Sequence, residues 1–498
     1  MIQGYQHLIR EVDDAADLIT AEKKHYRAVY PMDKRDEART NFQSLSPAAA
    51  QFLDYLLDNT DRIEQLKHFA DDLPPWTRTY PTTQLTWPTF VGSQKLQQIK
   101  RAVEKVCGLV KSLPERIFDN DPKRISDFYN YGDASLVELL LEPPNGIEGA
   151  VARCDFIDGA DGFKCCEINM APNVGGWESR FWEQKYLNNE AVSRFLIEHK
   201  IHASHHDPLR TFCLHIVDDA AASGVCSDGV LNVAIVCASI PGEAGKREAQ
   251  RVYDSFLQVA NREVNGHVLF CSPADLSVKN GYLYYGEQRI HAVVNYAGTV
   301  LPKQVYWSHK AGTICLYNGP LTKMMSDKRN LALLSQFEQS DIFDDQEQRI
   351  IHGHVPWSRI VVEGKTTYCG ETVAFPDFLI AARDRLVLKL GIGLGGKDVH
   401  VGSFTGEDQW RALVEKAVSD GGWMVQEYVD GRPYLFPDGE GNIKPQNVVW
   451  GMFCFGSRYG GGYLRMLPKG VRSGVVNSGG GAVEGPIFEI ETGFASNL

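Results

Sequence analysis

The sequence predicts a mixed α/β (α+β) fold of several domains, and three observations carry that prediction. Apolar residues recur at helical spacing over 48–66 and 96–113. Two strand-like runs flank a turn between 150 and 169. Between 231 and 295, short apolar runs alternate with a helical stripe, as in a small sheet with a crossover helix. A chain of 498 residues can hold roughly two to four domains with well-buried cores.

The elements follow in chain order. The first 120 residues read as helical, interrupted by a Pro-, Thr- and Trp-rich stretch at 73–92 that reads as a long loop or irregular strands. In ARCDFIDGADGFKCCEIN, Asp158, Gly159, Asp161 and Gly162 supply the turn chemistry. In the next unit, 233–238 is a short strand, and Ala249, Val252, Tyr253, Phe256 and Leu257 form the helical stripe. A second strand covers 268–271, and a hairpin runs from 282–285 through Gly286 to 290–294. Residues 386–389 read as a strand, followed by GIGLGGKD and a strand-like VHVGSF. A helix with Trp410, Leu413, Val414, Ala417 and Val418 on one face precedes the strand 423–429. The stretch 448–477 is glycine-rich and β-like. Asp218 and Asp219, just after the apolar CLHIV, read as a turn or cap, and the acidic run 341–347 as a solvated loop. His291, in an apolar run, reads as a core histidine.

Composition excludes several function classes. A formal net charge of −12 disfavours non-specific binding to nucleic acid or to an anionic membrane surface. The start, MIQGYQHLIREVDDAADL, carries acids and no apolar leader core, and no apolar run approaches a membrane span. The 11 cysteines are odd in number, scattered and without a CxxC pair, which points to reduced thiols in a cytoplasm.

Side chains alternate faces along a strand. With the turn centred on Asp161, Asp155 lies opposite Glu167 and Arg153 opposite Asn169, all on one face. Cys154, Phe156, Cys166 and Ile168 then form an apolar opposite face. Two carboxylates and an amide oxygen are hard ligands suited to magnesium, and an adjacent arginine can balance charge on a phosphoryl group. On the hairpin alone, the solvated face of an antiparallel sheet remains open as well.

GIGLGGKD matches G-x-G-x-x-G and most of a Walker loop by letter. A Rossmann fingerprint opens into a helix, whereas DVHVGSF alternates like a strand; a Walker loop needs Ser or Thr where this chain has Asp398. The segment therefore reads as a glycine loop between antiparallel strands, able to close over a triphosphate, with Lys389 reaching the phosphates. A plain hairpin turn is the other reading.

Together these segments resemble the ATP-grasp superfamily. VARCDFIDGADGFKCCEINMAPNVGG looks like the magnesium-binding strands of D-alanine–D-alanine ligases and their relatives. LVLKLGIGLGGKDVHVG resembles that family's lysine strand and mobile glycine loop, WMVQEYVDGRP its adenine-holding hinge, and GPLTKMMSDKRNLALLSQ the helix start with a second phosphate-contacting lysine, Lys328. YLRMLPKGVRSGVVNSGGGA looks like the substrate-side segment and lid of glutathione synthetase. The metal strands precede the loop and hinge by over 200 residues, an order that resembles the circularly permuted branch, which includes eukaryotic-type glutathione synthetase. That branch carries a metal-binding Glu in its glycine loop; this chain has no acid near Gly393.

The resemblance implies an ATP-grasp fold with circularly permuted segment order, a small α/β substrate domain and a helical N-terminal region. The implied divisions are 1–125 (helical region), 126–205 (metal strands), 206–310 (substrate domain), 311–430 (lid with loop and hinge) and 431–498 (the remaining core). It implies an ATP-dependent carboxylate–amine ligase that works through an acyl phosphate on amino acids or peptides. A small-molecule kinase and a non-catalytic ATP-binding protein are the alternatives. ATP and Mg2+ are the implied cofactors. Asp155, Glu167 and Asn169 would hold the metal, and Lys328 and Lys389 the phosphates. Arg153 would stabilise the transferring group, and Gly393, Gly395 and Gly396 would close the lid. Backbone groups at Glu427 and Val429, with Gln426 alongside, would meet adenine. Arg465 would hold a substrate carboxylate unless it is a surface arginine in a mobile loop. Asn173, Gly175 and Gly176 would line the acceptor site. Small-molecule acid and amine substrates are the expected partners, and a homodimer is compatible with this.

Overall fold

The computed structural model describes residues 32–58, 62, 85–141, 150–226, 228–259, 264–393, 398–437, 443–470, 475–477 and 481–491. Three sheets meet around a common space. The largest has eight strands, ordered Thr89–Gly92, Val483–Glu491, Arg458–Pro468, Ile443–Phe455, Val151–Gly159 and Gly162–Asn169, with Tyr434–Pro437 and His202–Ser204 attached. The second is parallel, ordered Cys315–Tyr317, Ala292–Val294, Val233–Val236 and Val268–Cys271. The third, in the segment expected to form the lid, is antiparallel, ordered Ser358–Ile360, Trp423–Glu427, Leu386–Leu390 and Val399–Val401.

Local sequence explains the N-terminal elements. Ser46 Oγ accepts from Ala49 N at 3.0 Å, and Pro47 opens the helix Pro47–Leu57. The second predicted stripe is the helix Ser93–Lys111, whose Leu96, Ile99, Val103, Val106 and Val110 are buried against the large sheet. The stretch at 73–92 ends in the strand Thr89–Gly92, paired parallel with the C-terminal strand; residues 73–84 lie outside the described residues. The lid has its own core of Leu386, Leu388, Trp410, Val414, Trp423 and Val425. Alternation on Leu386–Leu390 therefore turns Val387 and Lys389 away from that core. Among the described residues, no helix is long and apolar enough to cross a membrane.

The hairpin reproduces the expected pairs by a different route. Its turn is the two residues Ala160 and Asp161, closed by Gly159 opposite Gly162. That register alone would put Asp155 opposite Cys166. An irregularity after Asp155 leaves one extra residue on the return strand, so Asp155 faces Glu167 and Arg153 faces Asn169. The extra residue is Cys166. Cys165 replaces it on the core face and is fully buried, while Cys166 lines the space between the sheets. Asp158 is not turn chemistry: it is buried, and it accepts from Tyr434 Oη at 2.6 Å and Lys95 Nζ at 3.0 Å.

Three further expectations change. Ala292–Val294 is a strand of the parallel sheet, and the hairpin return is only Gln288–Arg289. CLHIV lies in the helix Pro208–Ala222, so Asp218 and Asp219 are helical; the Asp219 carboxylate accepts from Tyr317 Oη at 3.0 Å. The acidic run contains the start of the helix Asp345–His354, where Asp344 and Glu347 form a reciprocal cap. His291 is a core histidine, with Nδ1 accepting from Asn232 N at 3.0 Å.

Candidate functional site

A cavity of about 510 Å³ opens where the three sheets meet. Period-2 alternation places Arg153 and Asp155 on one large-sheet face, and Tyr463 and Arg465 on the same face two strands away. Glu167 and Asn169 continue that face on the outer strand. The lid contributes Val387, Lys389, Val399, Val401 and Gln426 from above. Lys328, capping the helix Arg329–Gln336, closes one side.

Asn318 and Ser326 join these parts. Asn318 makes two hydrogen bonds to the Val151 backbone, at 3.1 and 2.9 Å, which ties the parallel sheet to the hairpin. Met170 N donates to Ser326 Oγ at 2.7 Å, which sets the end of the hairpin beside Lys328. Lys328 N donates to Gly391 O at 2.9 Å. A Cβ at Gly391 would stand 2.5 Å from Asp327 Oδ1, so the first glycine of the loop serves close packing.

The electrostatics are unusual for so acidic a chain. Arg153, Lys328, Lys389 and Arg465 are each over 90% buried. Asp155 stands among them, held by Arg153 Nε at 2.9 Å, Arg153 Nη2 at 3.2 Å and Arg465 Nη2 at 2.7 Å. Burial alone would raise the Asp155 pKa, but the two guanidiniums outweigh it and hold the carboxyl below its ordinary value. Lys328 Nζ lies 3.2 Å from Glu167 Oε1 and donates to Gly393 O at 3.2 Å. Lys389 Nζ donates to Cys166 O at 2.9 Å and Gln426 Oε1 at 2.6 Å, and burial pushes its ammonium below the ordinary value. Four buried cations thus line the cavity with three acidic residues, Asp155, Glu167 and Glu427. Buried charge without a counter-charge is costly, so this end of the cavity favours an anion.

Most expected residues converge here, and several take other parts. Asn169 Nδ2 lies 3.4 Å from Asp155 Oδ2. Asn173, Gly393 and Val429 line the cavity. Gln426 is buried, lines the cavity and is bonded to Lys389 and to Ser358 Oγ, which holds the lysine in place. The Glu427 N–H is already given to Trp357 O at 2.8 Å, and its carboxylate accepts from Tyr368 Oη at 2.9 Å. Its N–H is therefore already committed, while Glu427 still lines the cavity. Gly175 O accepts from Arg153 Nη1 at 3.1 Å. Gly176 is absent from the cavity lining: its φ is +109°, and a Cβ there would overlap the Tyr463 ring. Arg465 sits in the strand Arg458–Pro468, buried, which excludes a mobile surface arginine. Gly395 and Gly396 lie outside the described residues.

Sequence reasoning missed Tyr463, whose Oη accepts from Arg153 Nη1 at 3.1 Å. Its place two residues before Arg465 was the available signal. It also missed Glu178, which is 2% exposed and accepts from Gly176 N at 3.1 Å. Burial, reinforced by Glu484, pushes the Glu178 carboxyl up to about 8.

No family model matches this sequence, and no curated protein does. Among solved structures, the chain is similar to a glutathione synthetase-like effector (GSS30) from Globodera pallida in its apo form. The TM-score is 0.50 at 12% identity, over 87% of this chain and 96% of that one. The fold is glutathione synthetase-like. The chain also matches a Methylobacillus flagellatus KT protein assigned as gamma-glutamylcysteine synthetase, at a TM-score of 0.38 and 13% identity over 78% of this chain and 87% of that one. The second likeness is too distant to argue from. The first spans nearly the whole of both chains and agrees with the mixed α/β architecture.

Proposed function

We propose that this protein is an ATP-dependent carboxylate–amine ligase of the ATP-grasp kind, with its segments in circularly permuted order. One observation carries the reading: four buried cations surround the two-carboxylate face of a hairpin, with Gly393 at the start of the glycine-rich segment lining the same cavity. The hairpin also precedes the lid strand by more than 200 residues.

The nucleotide would lie between the lid and the large sheet. Its base would rest against Val387, Val399, Val401 and Val429, and its phosphates against Lys328 and Lys389. Among the described residues, no three His, Cys, Asp or Glu side chains form a metal site by themselves. Asp155, Glu167 and Asn169 nonetheless share one face, and two carboxylates with an amide oxygen fit magnesium, which completes its shell with phosphate and water oxygens. Magnesium held there would neutralise charge on the β- and γ-phosphates.

Lys328 and Lys389 would orient the γ-phosphate for in-line attack by the substrate carboxylate. That oxygen's bond to phosphorus forms as the bond to the β–γ bridging oxygen breaks, giving an acyl phosphate and ADP. Arg153 would take up the charge that develops on the transferring group. The amine then attacks the acyl carbon; a C–N bond forms, phosphate leaves, and the amine loses a proton. The glycine-rich loop, by closing over the site, would exclude water, which would otherwise hydrolyse the acyl phosphate.

The test is release of ADP and phosphate from Mg-ATP with pooled carboxylic acids and amines. The reading requires that release depend on both pools and that Glu167→Gln slow it by at least about 100-fold, ~2.7 kcal/mol. A phosphorylated hydroxyl product would identify a kinase instead. Unaltered turnover in Glu167→Gln would remove the metal assignment.

A further inference from the structure

A buried acid outside the cavity lining stands in line with one of the cavity's cations. The Trp177 ring packs against Phe453 and Phe455, and its Nε1 donates to Pro172 O at 2.9 Å. Those anchors hold the short turn Trp177–Phe181 against the large sheet and bury Glu178. Glu178 is absent from the cavity lining, so it meets no ligand directly.

The Gly175–Gly176 peptide joins Glu178 to Arg153. Its N–H donates to Glu178 Oε2 at 3.1 Å, and its carbonyl accepts from Arg153 Nη1 at 3.1 Å. Carboxyl, peptide and guanidinium thus form one hydrogen-bonded line, in which each bond polarises the next. The backbone of Gly176 packs on the Tyr463 ring, where a Cβ would stand 2.2 Å from a ring carbon. Arg153 is held from its other sides by Asp155 and Tyr463 Oη. Nε and Nη1 are then fully used, and one N–H of Nη2 has no partner among the described residues. Without the Glu178 oxygen, the buried Gly176 N–H would be left unpaired. A peptide that turns to relieve it takes the Gly175 oxygen away from Arg153.

We propose that Glu178 is a positioning residue for phosphoryl transfer: through the Gly175–Gly176 peptide it aims Arg153, so that the remaining Nη2 N–H meets the transferring group. Glu178 thereby sets kcat and not nucleotide affinity. The inference rests on the ligase reading, which gives Arg153 its task.

Burial and Glu484 push the Glu178 carboxyl up to about 8, so at pH 7 most of it carries a proton and accepts through its carbonyl oxygen. Gln offers the same neutral oxygen, and Met offers none.

The test combines ADP release at pH 7 with the acid and amine pools, ATP-analogue affinity by calorimetry, and a crystal structure of Glu178→Met. Glu178→Met should lower kcat by at least about 10-fold, while the KM for ATP and the analogue affinity stay within about 2-fold. Glu178→Gln should keep kcat within about 2-fold of the wild type. In an Arg153→Met background, Glu178→Met should cost nothing further, because it acts only through that arginine. The crystal structure should show Gly175 O withdrawn from Arg153. Equal losses in Glu178→Met and Glu178→Gln, independent losses in the double variant, or an unmoved Gly175 O would each overturn the inference. Should Glu178→Met not fold, Glu178→Asp, one methylene too short to reach Gly176 N, takes its place with the same expected losses. Wild-type protein that releases no ADP would instead overturn the ligase reading, and the crystal structure would still decide whether Glu178 holds Arg153.

Discussion

Asp155→Asn is the most informative single substitution, because it changes one buried charge and little volume. In the wild type this carboxylate neutralises Arg153 and Arg465 at 2.7–3.2 Å, with all three groups buried. Removing its charge strands two guanidiniums. Breaking a buried ion pair in this way costs ~3–5 kcal/mol, which lowers the melting temperature by about 3–5 °C when all 498 residues melt as one unit. An anion that binds between the same cations should restore part of the loss. Inorganic triphosphate with EDTA, at 100 times its dissociation constant, stabilises by about 2.7 kcal/mol. It should act more strongly on the variant, where Asp155 no longer competes for the arginines. Differential scanning fluorimetry with and without triphosphate measures both effects. A loss below about 1 kcal/mol, or equal triphosphate shifts in the two proteins, would refute the reasoning.

Other substitutions probe separate parts of the site. Lys389→Met keeps the buried stem but removes the ammonium bonded to Cys166 O and Gln426 Oε1; ATP-analogue affinity should fall about 100-fold by calorimetry, ~2.7 kcal/mol, and the melting temperature should fall by about a degree or two because those acceptors lose this donor. Glu178 has its folded pKa raised to about 8 by burial and Glu484. Its contribution to stability is fully present below the ordinary carboxylate range and is lost as pH rises through about 8. Glu178→Gln should therefore melt near the wild type at about pH 4 and increasingly above it as pH rises to about 8, where the gap levels off; a constant offset would mean that Glu178 does not titrate there. Gly176→Ala forces a Cβ into the Tyr463 ring at a φ of +109°, and should cost at least about 2 kcal/mol in chemical denaturation.

The hairpin was legible because its chemistry and its period agree: RCDF and CEIN each put polar groups on alternate positions, and the pairing of Asp155 with Glu167 follows. The turn length was read one residue too long, and the extra residue at Cys166 restores the same pairs. Lys328 and Lys389 were found because each sits at an element boundary that the family resemblance marks. What stayed hidden depends on distant partners. Nothing near Gln426 in sequence shows that its amide is taken by Lys389, 37 positions away. The Glu427 N–H is taken by Trp357 O, a contact that only the fold supplies. Ala292–Val294 is three apolar residues, equally able to return a hairpin or to enter a parallel sheet; the pairing with Val233–Val236 decides it. Asp218 and Asp219 were read as a turn or cap because the short run CLHIV does not show that a helix continues through them to Ala222.

The central claim is that distant segments build one triphosphate site. It is tested most directly by a crystal structure with a non-hydrolysable ATP analogue and magnesium. The account predicts the β- and γ-phosphates within hydrogen-bond reach of Lys328 and Lys389, and a metal about 2 Å from oxygens of Asp155, Glu167 or Asn169. Nucleotide bound elsewhere, with Asp155 still held by Arg153 and Arg465 and no metal beside it, would contradict the account.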